Sequence, residues 1–175
     1  MSTFTGHSYW VRLARKPYKH VDSVTIQHAL VGFQIYQVRG ISVRNIIEFR
    51  KHVASMIGWR YERCGRGPGG IDCFGMFIVL GRALGYDVPD FEADPGNPME
   101  VVNAYSSLSR EISLAEVTEG DVVVLKLRSE FGDHIGMCIG FGKFIHCTNA
   151  GVAISSLNER LWRSKIVGCY RLVES

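Results

Sequence analysis

Residues 69–85 read GGIDCFGMFIVLGRALG. A glycine pair and an aspartate stand just before Cys73, and a long apolar run follows it. Met76, Phe77, Leu80, Ala83 and Leu84 share one helical face, while Phe74, Ile78 and Val79 fill much of the other. A helix that is apolar almost all round lies buried at the centre of a fold. Cys73 then sits on the first turn of that helix, with Asp72 before it in a capping position. Its thiol can be a small core hydrophobe, a metal ligand or a nucleophile, and an apolar-flanked cysteine is by default the first of these.

With 175 residues, 46% of them hydrophobic, the chain can bury one ordinary core and carry a short appendage. Its longest apolar runs fall far short of a membrane span. The N-terminus is interrupted by basic, histidine and aromatic residues and does not read as a signal peptide, so the product is expected to be made in a cytoplasm. The five cysteines are odd in number and lack CxxC spacing, which argues against a disulfide framework or a cysteine-rich zinc site. The net charge of +3 is asymmetric: residues 1–71 hold 11 Lys or Arg against 3 acids, and residues 72–175 hold 9 against 14. The basic front reads as a solvated surface, because no nucleic-acid-binding signature accompanies it.

Residues 1–42 are β-rich, notably SVTIQHALVGFQIYQV at 23–38, and read as an N-terminal extension before a domain spanning 43–175. Ser42 is expected to cap an amphipathic helix that ends at Gly58. A glycine-rich loop, the Cys73 helix, a further helix over 98–109 and strands at 122–127, 134–140, 143–148 and 166–173 complete an α+β pattern.

Chemistry depends on the hairpin after Asp133. A three-residue loop at 140–142, with Gly142 left-handed, would pair 139 with 143 and place His146 opposite Gly136 and His134 opposite Thr148. Opposite residues share a face, so the two imidazoles would be diagonal neighbours within reach of one another. A two-residue loop would put them on opposite faces. Gly136 would leave room beside His146.

On this arrangement Cys73 is the candidate nucleophile, its pKa lowered by the helix N-terminus. His134 is its base, and His146 fixes the base's tautomer. The N–H groups around Cys73 would meet a developing oxyanion. Zinc on His134, Cys138 and His146 is the competing reading, although no cysteine pair supports it. Cys147 is expected to point away from the histidines. Cys64, Cys169, His7, His20, His28 and His52 stand in no constellation.

GGIDCFGM, GDVVVL, HIGMCIGFGKFIHC and GCYR, in that order, resemble the NlpC-type cell-wall cysteine peptidases, over about Ile46 to Arg171. The resemblance implies a papain-like domain with the triad Cys73, His134 and His146, hydrolysis of an amide in peptidoglycan stem peptides, and no metal or organic cofactor. By the same resemblance Tyr61 and Asp72 line the substrate cleft, with packing and helix capping as their alternative roles. Phe74, LGYDVPDF and LWRSKIVGCYRL resemble the subgroup of bacteriophage tails. That implies a virion protein acting in the host periplasm or wall, docked to tail-tip or baseplate proteins through residues 1–42, which could equally form a lid. Many relatives carry serine where this chain has Phe74, so the bond cleaved is left open. The rival functions are a tail structural protein with a silent peptidase fold and an acyltransferase on the same scaffold.

Overall fold

The computed structural model describes residues 41–90, 106–128, 130 and 132–173. The chain divides into two units, Met1–Gln37 and Val38–Ser175, and the site lies in the second. The expected extension at 1–42 falls almost wholly outside the described residues, as does most of the helix expected over 98–109. Where that helix was to end, a strand begins at Ser109.

Helix α1 spans Val43–Met56, and the Ser42 hydroxyl accepts the Asn45 N–H at 3.2 Å. Gly58 follows in the left-handed region at φ 82°. The glycine-rich segment forms a miniature hairpin, β1 (Arg66–Gly67) and β2 (Gly70–Ile71). Helix α2, Cys73–Ala83, comes next. Then follow β3 (Ser109–Ile112), β4 (Val122–Leu125), β5 (His134–Gly140), β6 (Lys143–Thr148), β7 (Gly151–Ser156), the short helix α3 (Arg160–Arg163) and β8 (Ile166–Leu172). Strands β3 to β8 form one antiparallel sheet in the order β3-β8-β4-β5-β6-β7. The fold is α+β, as the sequence pattern requires.

Successive strand residues face opposite ways, and each face of this sheet has its own core. Val122, Val124, Ile135, Met137, Ile145 and Cys147 pack against α2, with Phe49 and Met56 of α1 in the same cluster. Val123, Leu125, Cys138, Phe144 and Cys169 form a second cluster with Leu157 and Trp162. All four residues of β4 are consequently buried, which explains its unbroken VVVL. Among the described residues no helix is long and apolar enough to cross a membrane.

The β5–β6 hairpin differs from expectation in two ways whose effects cancel. Phe141 and Gly142 both have positive φ, 53° and 67°, and form a two-residue turn closed by the Gly140–Lys143 pair. The register then shifts between Cys138 and Gly140, which leaves Ile139 as a bulge. The extra residue restores the parity that the shorter turn removes, so Gly136 still faces His146. Strand β7 was not anticipated. It pairs with β6 along six residues, Thr148 with Gly151 through Lys143 with Ser156, across a turn at Asn149–Ala150.

Candidate active site

The thiol is positioned from the helix side. Asp72 is 1% exposed and caps α2: Oδ1 accepts the Gly75 N–H at 2.6 Å, and Oδ2 accepts the Cys64 N–H at 2.8 Å. Arg66 reaches Oδ1 at 3.4 Å. The carboxylate thus joins the glycine-rich loop to the first turn of the helix. Glycine is required at 75, because a Cβ there would lie 2.1 Å from the Gly65 carbonyl oxygen. From β6, the Cys147 thiol donates to the Ile71 carbonyl at 3.1 Å, which ties the strand to the same loop. Cys147 therefore faces α2, away from the histidines, as the alternation predicts.

Cys73 is 7% exposed, and the backbone N–H of Ile135, the residue after His134, is near enough to favour its thiolate. That approach brings the nucleophile candidate to the start of β5. Burial pushes the Cys73 thiol up to about 12, against smaller opposing effects of backbone N–H groups; Asp72 and Cys147 add to the rise. The lowering expected from the helix N-terminus is overturned. The cap that stabilises the helix places a carboxylate beside the thiol, and desolvation outweighs the backbone dipoles.

The imidazoles are positioned from the strands. Ile135 and Met137 face α2, so His134 and Gly136 project from the other side of the pleat. His134 Nε2 lies 3.0 Å from His146 Nδ1, which leaves Nδ1 as the other ring nitrogen of His134. Burial lowers His134 to about 3, helped by His146 and opposed by Asp133, and burial lowers His146 to about 4. Both rings are neutral at pH 7. Before substrate arrives, the Cys73 thiol and the His134 imidazole are therefore each neutral.

Three residues that the sequence did not single out surround His146. Its Nε2 lies 3.0 Å from Ser155 Oγ on β7. The Trp162 ring meets it edge-on with centroids 4.5 Å apart, and Phe144 packs at 4.9 Å. Gly136 does leave space, but Phe144 occupies it: a Cβ at Gly136 would lie 2.5 Å from Phe144 Cδ2. Reading β7 as a strand would have found Ser155, since Ser155 pairs with Phe144 and so shares a face with His146.

Tyr61 is half-buried and bridges Ile71 in the segment leading to Cys73. Burial raises its phenol pKa, with further contributions from Asp72 and Cys73. Phe74 is fully buried against Phe77, with ring centroids 5.8 Å apart. The position after the cysteine thus belongs to the core beneath the site. Cys138 lies in the second core, and among the described residues no three His, Cys, Asp or Glu side chains gather as metal ligands.

Comparison with known proteins gives one consistent answer. The NlpC/P60 family pattern matches residues 58–171. The chain is 32% identical over 108 residues to the Haemophilus influenzae protein named "Probable endopeptidase NlpC homolog", covering 61% of this chain and 51% of that protein. It is 29% identical over 130 residues to Murein DD-endopeptidase MepS/Murein LD-carboxypeptidase of Escherichia coli K12, covering 73% of this chain and 62% of the relative. The matches thus span about half to three-fifths of these relatives. A solved Staphylococcus aureus protein, similar to a lipoprotein of the NLP/P60 family, superposes with a TM-score of 0.63 at 15% identity, over 90% of this chain and 51% of the other.

Proposed function

The chain belongs to the NlpC/P60 family, and on that premise we propose that it is a thiol endopeptidase acting on the stem peptides of peptidoglycan. The observation that carries this reading is the array at the start of β5. A thiol on the first turn of a buried helix lies near the backbone N–H that follows His134, and His134 Nε2 is 3.0 Å from His146 Nδ1.

Cys73 is the nucleophile and His134 the base. The thiol proton passes to His134 Nδ1 as sulfur attacks the amide carbonyl carbon, so charge develops only once substrate has displaced water from the site. Backbone N–H groups of the first α2 turn receive the oxyanion. Collapse breaks the C–N bond, and His134 returns its proton to the departing amine. The thioester is then hydrolysed by water, whose proton the same imidazole accepts before the thiol is regenerated. His146 holds His134 in the tautomer that keeps Nδ1 unprotonated. Asp72 builds the loop and helix start that present the thiol, and Tyr61 borders the cleft. These steps need no metal or organic cofactor.

The same reading makes the protein part of a bacteriophage tail, made in the bacterial cytoplasm and acting on the host wall. Residues 1–42 would dock it to tail-tip or baseplate proteins. This finer assignment is supported by the resemblance of Phe74, LGYDVPDF and LWRSKIVGCYRL to that subgroup.

Mass spectrometry of muropeptides after incubating purified cell wall with the wild type and with Cys73→Ala tests the enzyme. New stem-peptide fragments from the wild type alone are expected and would name the bond; identical products from both proteins would refute it. Peptides of this chain in purified virions are expected if it is a tail protein, and their absence would remove that role.

A further inference from the structure

We infer that Ser155 is a positioning residue of the site: its hydroxyl oxygen accepts from His146 and thereby selects the tautomers of both imidazoles. The inference rests on the proposed role of His134 as base.

The argument is one of proton counting along a row of atoms. His134 Nε2 and His146 Nδ1 are 3.0 Å apart, so one must carry the hydrogen between them. His146 Nε2 and Ser155 Oγ are also 3.0 Å apart and impose the same choice. A neutral imidazole carries one N–H, so the two choices are linked. If Ser155 accepts, His146 is protonated on Nε2, its Nδ1 accepts from His134 Nε2–H, and His134 Nδ1 is a free lone pair. If Ser155 donates, every hydrogen moves to the opposite side, and His134 Nδ1 carries a proton and cannot take one from Cys73. The direction of the last hydrogen bond therefore decides whether the first residue is a base.

The surroundings favour acceptance. Ser155 lies on β7, at the outer end of the sheet order, and is only half-buried, so its own hydrogen can turn to water while the oxygen faces His146. Ala153, directly opposite His146 across the ladder, leaves the diagonal open for that contact. Trp162 and Phe144 pack on the His146 ring and oppose rotation that would carry Nε2 away. The aromatic rings fix the plane and the serine fixes the proton.

Nitrogen-15 NMR of the histidine side chains in the full chain, with wild type, Ser155→Ala and Ser155→Thr, reads the tautomers without substrate. The wild type should show His134 and His146 both as the Nε2–H form. Ser155→Ala should convert His146 to a near-even mixture and lower kcat on peptidoglycan about twofold, with KM unchanged, because losing one hydrogen bond's worth of bias, about tenfold, halves the competent fraction. Ser155→Thr, which keeps the hydroxyl, should restore both. An Nδ1–H form of His146 in the wild type would overturn the inference, even if Ser155→Ala fails to fold. So would wild-type tautomers in Ser155→Ala, whatever its rate. Absence of cleavage by the wild type would refute the peptidase reading instead, while the tautomers alone would still decide the role of Ser155.

Discussion

On the helix side of the sheet, Cys73 is held by hydrogen bonds that converge on one buried carboxylate, Asp72. On the other side, His134 and His146 are held by strand register and by the rings packed around them. The loop and helix start that carry the thiol come from a continuous stretch of about fifteen residues, Tyr61 to Gly75, on which β5 and β6 close at Ile135 and Cys147. The imidazoles need β5, β6, β7 and α3, which meet only when the sheet is assembled. The first half is a local structure with local signals, whereas the second depends on long-range pairing. Burial acts on both in opposite senses: it raises the acid and lowers the base, so each rests neutral.

Removing the proposed base should break the comparison most sharply. His134→Gln is expected to lower the rate of stem-peptide cleavage by about a thousandfold while leaving the hydrogen-exchange protection of the α2 amides nearly unchanged. A parallel loss of that protection would mean that the halves are not built independently.

The two halves should also separate with pH. An imidazole whose pKa falls from about 6.5 unfolded to about 3 or 4 folded binds its proton preferentially in the unfolded chain. The stability it contributes is complete above pH 6.5 and is lost as pH falls, by about 1.4 kcal/mol per ring per pH unit within the window. The Cys73 thiol, raised from 9 to about 12, loses stability in the other direction, as pH rises through that range. Cys138, Cys147 and Cys169 are raised too, so the thiol's share is the difference between the wild type and Cys73→Ser. Urea midpoints from pH 5 to 6.5 should have a shallower slope in His146→Gln, and those above pH 9 a shallower slope in Cys73→Ser. If His146→Gln kept the wild-type acid slope, that ring would not be buried neutral.

Smaller changes sharpen each side in turn. Gly136→Ala forces a methyl group against Phe144 and should cost about 1–3 kcal/mol in urea unfolding, with a parallel fall in activity because Phe144 packs on His146. Asp72→Asn keeps an acceptor at the helix cap but removes the charge beside the thiol. It should cost about 1 kcal/mol and lower the Cys73 pKa, seen as a downward shift in the pH dependence of alkylation. Least of all, Phe141→Asn relieves a left-handed phenylalanine that is 94% exposed at the hairpin tip. It should stabilise the protein by about 0.5 kcal/mol with unchanged activity; an activity loss would give that tip a role in substrate binding.

Much of this arrangement was written locally. The Asp72 cap, the buried α2, the Ser42 cap, the stop at Gly58 and the strands at 134–140 and 143–148 follow from short-range periodicity and backbone preferences, which need only a few neighbouring residues to express themselves. The opposition of His146 and Gly136 was legible as well, although the turn is one residue shorter than the pattern suggests and Ile139 bulges, because these two changes compensate and leave the same parity. Tertiary structure alone decided the rest. GVAISS carries no clear alternation, and it became β7 because β6 offered an unpaired edge. Ser155, Trp162 and Phe144 reached His146 only through that pairing and the packing of α3. The charge states of Cys73 and His134 were likewise invisible in the chain: a helix N-terminus is a local feature, but desolvation is a property of everything packed around it, and here it is the larger effect.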